Sequence, residues 1–239
     1  MRLLALVLAG LWTVLVFSAA VVANLVTLGR LSHRTINLFA PIWGRGVLWL
    51  LGVRLTVFGR EHLARDHAQV VLLNHASILD MPIIASVCPR NYTALAKAEF
   101  KRIPFFAACF RAFGFPFVER GNTEAARRSL AAAGAQVLRH QRSVIIFPEG
   151  TRTRDGRLQP FKMGAFHLAL ATRCPVLPVV VHGAFARSQP GSLKVVPGDV
   201  VMQILPPIAT VAWTEAELRA QATALHDRFA AALDAGPPA

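Results

Sequence analysis

The segment Asn74-His75-Ala76-Ser77-Ile78-Leu79-Asp80 sets an imidazole five positions before a carboxylate, directly after the apolar run Val70 to Leu73. At about 100° per residue, five positions on one helix are ~140° out of phase, so His75 and Asp80 cannot share a face of a regular helix. His75 therefore belongs in a turn, leaning back toward Asp80 at the start of the next helix. A carboxylate bonded to one imidazole nitrogen fixes the tautomer and leaves the other nitrogen to accept a proton from an attacking hydroxyl. Such a pair is a general base that needs no protein nucleophile. Taken alone, the same residues fit a histidine satisfied in a turn beside a helix-capping carboxylate. Ser77 lacks a Gly-x-Ser-x-Gly elbow, so its hydroxyl reads as a cap rather than a nucleophile.

A second polar turn, Phe147-Pro148-Glu149-Gly150-Thr151-Arg152, again comes after an apolar β-run, Ser143 to Phe147. Gly150 permits a tight turn, and Thr151 and Arg152 present a hydroxyl and a planar cation suited to phosphate. By itself it could be an ordinary surface turn with a solvated arginine. Between the two lies Phe115-Pro116-Phe117-Val118-Glu119-Arg120-Gly121, and Lys97 also ends a β-run. Four strand ends thus offer His75/Asp80, Lys97, Arg120 and Glu149/Arg152. If those strands are parallel neighbours, base and cations gather at one sheet edge.

The elements that must position these groups are legible as apolar runs of two kinds. After residue 53, short β-rich segments alternate with helical ones, which predicts an α/β fold with a central, mostly parallel sheet flanked by helices. Strands are expected at 54–58, 70–73, 92–96, 115–118, 144–147 and 176–181, and helices at 78–87, 105–113, 123–140, 162–172 and 214–233. From Leu3 to Gly29 no residue is charged, and at ~1.5 Å per residue that stretch can cross a hydrocarbon core of ~30 Å. A cleaved signal peptide, with small residues at Ser18-Ala19-Ala20, is the rival reading, but the apolar run continues through Val21-Val22. Ile36 to Val53, interrupted by Pro41, Gly44, Arg45 and Gly46, reads as an interfacial or re-entrant element. The expected organisation is an N-terminal membrane anchor at 1–53, a catalytic domain at 54–235, and a disordered Pro/Gly tail at 236–239.

Of the 239 residues 54% are hydrophobic and 16% charged, with a formal net charge of +13 and a mean hydropathy of +0.45. That balance predicts contact with a membrane, and the spread of cations predicts a broad anionic surface as partner. Against nucleic acid as that partner stand the aromatic residues, which lie in apolar runs such as Ile103-Pro104-Phe105-Phe106 rather than interleaved with arginine, so membrane is the better reading. The positive charges after the first apolar stretch, Arg30 through Arg65, place the rest of the chain on the cytoplasmic side of an inner membrane. Cys88, Cys109 and Cys174 have neither disulfide nor zinc spacing, and the histidines show no metal pattern, so no metal and no resident cofactor is expected.

Taken together, the blocks resemble the glycerolipid acyltransferase family, in its bacterial 1-acyl-sn-glycerol-3-phosphate type. The segment Asn74 to Asp80 is similar to the family's His-x4-Asp motif, Phe117 to Arg120 to its second block, Phe147 to Arg152 to its Pro-Glu-Gly-Thr-Arg block, and Val176 to Val180 to its apolar fourth. Phe161-Lys162-Met163-Gly164 also resembles a segment common after the third. The resemblance implies that His75 is the base and Asp80 orients it, and that Lys97, Arg120 and Arg152 hold the acceptor's phosphate while Glu149, Gly150 and Thr151 shape the loop. It implies a lysophospholipid acceptor and an acyl-CoA or acyl-carrier-protein donor. Ala76 stands where Gln is frequent and Glu119 where Asp is frequent. Acylation of another lysolipid, such as a lyso-ornithine lipid, hydrolysis, and a non-enzymatic basic membrane protein are the competing readings.

Overall fold

Apolar residues without a charge or a proline from Leu3 onward carry the first helix, α1 (Arg2–Val26), without a break. It closes where the Gly29 N–H reaches the Asn24 carbonyl at 2.8 Å, with Gly29 at φ 74°. The computed structural model describes residues 2–29, 32–64, 66–87, 91–118, 123–192 and 194–238. In it α2 (Ser32–Leu50) runs continuously through Pro41, Gly44 and Gly46, where the sequence suggests interruption. Those glycines are contact points. The Trp12 indole lies where a side chain at Gly46 would stand, and a Cβ at Gly44 would meet the Pro82 carbonyl oxygen at 2.5 Å. Indole N–H bonds tie the pair of helices, from Trp12 to the Trp43 carbonyl (3.3 Å) and from Trp43 to the Thr13 hydroxyl (3.0 Å).

Beyond the helical pair come β1 (Val53–Phe58), β2 (Val70–Leu73), α3 (Asp80–Val87), β3 (Tyr92–Ala94), β4 (Ala96–Lys97), α4 (Pro104–Ala112), β5 (Phe117–Val118), α5 (Thr123–His140) and β6 (Ser143–Ile146). The chain ends with α6 (Gly164–Thr172), β7 (Val176–His182), the single-turn α7 (Ala184–Arg187), β8 (Gly198–Ile204) and α8 (Leu218–Ala235). Six strands form one sheet in the order β1-β8-β7-β2-β6-β3. Its pairs are parallel except β7 with β8, which is antiparallel, so the sheet is mixed. Strand β8 is absent from the sequence expectation, although Val200, Met202 and Ile204 alternate inward between Gly198 and the prolines at 206–207. Its outward Asp199 and Gln203 broke the apolar run that marks the other strands. Asp199 accepts two bonds from Arg54 on β1, at 2.7 and 2.9 Å, an exposed pair of small energetic weight.

Strands β2, β6 and β7 are buried along their whole length because both faces are covered. The period of two divides their side chains between two cores. Val71, Leu73, Ile145 and Val179 face the layer made with α1, α2, α3 and α4, whereas Val70, Leu72, Val144 and Val180 face α5, α6 and α8. The expected strand at 92–96 is two pieces. Leu95 divides β3, which stays in the main sheet, from β4, which pairs only with β5 in a separate parallel ribbon. The strand ends bearing Lys97 and preceding Arg120 therefore leave the main sheet, and one common edge for all four does not form.

Candidate active site

His75 stands two residues beyond the C-terminal end of β2. The Asn74 side chain replaces a strand partner there: its Oδ1 accepts the Val181 N–H (2.7 Å) and its Nδ2 donates to the Val181 carbonyl (3.0 Å). The amide thus carries β2 and β7 one step further and releases the backbone to turn. At the start of α3 the fully buried Asp80 turns one oxygen, Oδ2, to three donors: His75 Nδ1 at 2.7 Å, Ala76 N–H at 2.8 Å and Ser77 N–H at 2.9 Å. A carboxylate can only accept, so the proton sits on Nδ1 and the lone pair on Nε2. Phe147 stacks on the imidazole, centroids 4.0 Å apart and planes 21° from parallel. The His75 side chain is 13% exposed, so the ring is not sealed from the surface. Ser77 is no nucleophile: its hydroxyl donates to the Ser188 carbonyl (2.9 Å) and accepts the Leu79 N–H (3.2 Å).

The loop after β6 approaches this turn because β2 and β6 are parallel neighbours, with Leu72 opposite Ile146. Gly150, at φ 75°, makes its tight bend, and its N–H returns to the Phe147 carbonyl at 3.0 Å. A Cβ there would crowd the Lys162 ammonium at 2.9 Å. The buried Glu149 takes the His75 N–H on Oε1 (2.5 Å) and the Gln159 N–H on Oε2 (2.8 Å). Burial pushes its carboxyl up to about 7, against the pull of those two N–H groups, and the neighbouring Asp80 carboxylate adds to the rise. Thr153 donates its N–H to the His75 carbonyl (2.9 Å). Thr151, Arg152, Arg154, Arg157 and Lys162 are exposed around the bend.

Behind Phe147 opens a cavity of about 1190 Å³ between β6, α5 and α6. Leu130, Gly134, Leu168 and Thr172 line it from α5 and α6, and Met81, Gly150 and Lys162 line it from the elements around the His75 turn. Its volume exceeds what drug-sized ligands occupy, on the order of 300–1,000 Å³.

An acyltransferase family model matches residues 54–182. The 1-acyl-sn-glycerol-3-phosphate acyltransferase of Limnanthes douglasii is 32% identical over 199 residues, covering 83% of this chain and 70% of its own length. That of Cocos nucifera is 33% identical over 190 residues, 80% of this chain, which spans 61% of the coconut protein. The crystal structure of the 1-acyl-sn-glycerophosphate acyltransferase of Thermotoga maritima superposes with a TM-score of 0.72 at 25% identity, covering 95% of each chain. This chain belongs to the 1-acyl-sn-glycerol-3-phosphate acyltransferase family.

Within this acyltransferase, the residues expected at the site divide into three groups. His75, Asp80, Glu149 and Gly150 come together at the neighbouring ends of β2 and β6, with Thr151 and Arg152 on the exposed continuation of the loop. Lys97 lies on β4 in register with Val118, and its side chain is outside the described residues. Arg120 also lies outside them. Sequence reasoning assigned no part to Asn74 or Gln159, which hold the catalytic turn and its neighbouring loop. Asn74 adjoins His75 and could have been suspected, but the Gln159 contact uses a backbone N–H that no residue type announces.

Proposed function

We propose that this chain transfers a fatty acyl group from acyl-CoA or acyl-carrier protein to the sn-2 hydroxyl of 1-acyl-glycerol-3-phosphate, giving phosphatidate. The observation that carries the reading is the His75 Nδ1 to Asp80 Oδ2 bond of 2.7 Å, which leaves Nε2 to accept a proton, on a ring stacked against Phe147, itself part of the lining of the large apolar cavity. Nε2 takes the proton of the acceptor hydroxyl as its oxygen attacks the thioester carbonyl carbon. The tetrahedral intermediate then expels the sulfur, which receives that proton from the imidazolium and leaves as a thiol. Deprotonation of this kind is worth roughly 10²–10⁴-fold, so holding the two substrates in line supplies a further share.

The acyl chain of the donor fits the cavity between β6, α5 and α6, with its carbonyl at the margin where Phe147 separates cavity from imidazole. Arg152 supplies a cation for the acceptor's phosphate, and Lys97 and Arg120 are assigned to the same phosphate by the family resemblance. Helix α1 is long and apolar enough to cross a bilayer, and Leu3, Leu11, Leu15 and Leu25 on it are exposed, as is Trp49 at the end of α2. We place these side chains in the inner membrane, with α2 at its interface and the catalytic domain at the cytoplasmic surface, where lysolipid is drawn from the leaflet.

The test is acyl transfer by purified protein with lysophosphatidate and lyso-ornithine lipid as rival acceptors. His75→Ala and Asp80→Ala are expected to lose about 10²–10⁴-fold in turnover while still binding vesicles. Turnover with the ornithine lipid alone would move the activity to another acceptor. Acyl release to water without acceptor would make the protein a hydrolase. Retained function in His75→Ala would leave a binding protein.

A further inference from the structure

The Glu149 carboxylate is 3% exposed, and each of its oxygens is already engaged by a backbone N–H, that of His75 on one side and that of Gln159 on the other. A buried anion with both oxygens turned to the protein offers nothing to a substrate phosphate, which it would repel. What it holds is the catalytic residue itself. His75 donates its N–H to Glu149 and accepts the Thr153 N–H at its carbonyl (2.9 Å), so both backbone groups of the base are gripped by one loop. On the opposite flank Asn74 is gripped in the same way by Val181 of β7.

We propose that Glu149 is a positioning residue for the acyl transfer: its carboxylate straps the backbone of the His75 turn to the loop after β6, and touches neither substrate. The inference rests on the reading of His75 as the base. Two features separate this strap from ordinary filling of space. An ionised carboxylate accepts strongly on both oxygens, whereas a protonated one has a weaker acceptor at its hydroxyl and must turn that hydrogen away from the donor it faces. The ionised form is costly, for burial and the nearby Asp80 carboxylate raise the carboxyl to about 7 while the two backbone N–H groups pull it back down, so the strap is complete where the carboxyl is ionised, above that value; His75 and Arg157 line the same small pocket, and Lys162 stands beside Gly150.

The experiment compares the full-length enzyme with Glu149→Gln and Glu149→Asp in steady-state assays that vary lysophosphatidate. Glutamine keeps the shape but turns an amide N–H toward one of the two backbone donors. Aspartate keeps the charge but is one methylene too short to span them. Both are expected to lower kcat about 10- to 100-fold, the scale of a misplaced catalytic group, with KM for lysophosphatidate within about threefold of wild type. A raised KM with kcat retained would make Glu149 an acceptor ligand and overturn the proposal. So would an Asp variant as active as wild type, because charge alone would then suffice. Should either variant fail to fold, hydrogen exchange on the wild-type chain decides: the His75 amide is expected to be among the slowly exchanging protons, and rapid exchange would sink the strap. His75→Ala run alongside keeps the two readings apart, since its retained turnover would remove the base whatever the Glu149 variants do.

Discussion

At the scale of single residues, two carboxylates a few ångströms from one imidazole have opposite duties. Asp80 fixes the ring through Nδ1, and Glu149 fixes the main chain that carries it. Their energetic signatures can be separated through Glu149, whose carboxyl burial has lifted from an ordinary 4.5 to about 7. Below about 4.5 the folded and unfolded chains both hold this proton and the residue does not bias folding. Between about 4.5 and 7 the unfolded chain releases it while the folded chain retains it, so the contribution to stability falls as pH rises; above 7 the cost of burying the charge is complete. Glu149→Gln has no such proton to lose. Its melting temperature relative to wild type is therefore expected to climb between pH 5 and pH 8, measured by thermal denaturation in the same detergent, while its turnover stays low at both. A difference that is flat across that range would place the carboxyl near its ordinary value.

At the scale of elements, what could be read from the sequence is what is written as contiguous apolar runs. Strands β2, β6 and β7 are buried on both faces, so their side chains form unbroken stretches, and the polar groups just past β2 and β6 announce the turn where chemistry sits. Strand β8 hides because Asp199 and Gln203 face outward along it, and α2 hides because Gly44 and Gly46 are read as breaks when they are places of close approach. The departure of β4 from the main sheet turns on Leu95 alone, and no local pattern distinguishes a strand that continues from one that changes partners. Helices α5 and α6 yield a prediction of their own. A Cβ at Gly134 would meet Leu168 Cδ1 at 3.0 Å and Thr172 at 3.6 Å, so a larger side chain there must push these lining residues toward the cavity. Gly134→Leu is expected to depress transfer of long acyl chains by roughly 10-fold or more and leave short ones close to wild type, as assayed with donors of graded length. Equal loss across all lengths would mean that the acyl chain lies elsewhere.

At the scale of the whole molecule, a formal charge of +13 meets an apolar helix on which Leu3, Leu11, Leu15 and Leu25 are exposed. Attraction to an anionic leaflet is long-ranged and screened by salt, whereas apolar insertion is not. Sedimentation with vesicles is therefore expected to show binding to anionic lipid weakening as salt rises from about 0.05 to about 0.5 M, with binding to neutral vesicles nearly unchanged. Equal salt response on both would assign the cations to another partner. The contact at Gly44 extends this picture inward. There the backbone of α2 rests on α3 with no side chain between them, Arg45 donates to the Ser86 carbonyl at 3.3 Å, and the first residue of α3 is Asp80. The N-terminal helical pair thus buttresses the helix that presents Asp80. Trimming the chain back to Val53 for the sake of solubility would strip the support from behind the helix that presents the carboxylate, and what dissolved would no longer be a catalyst.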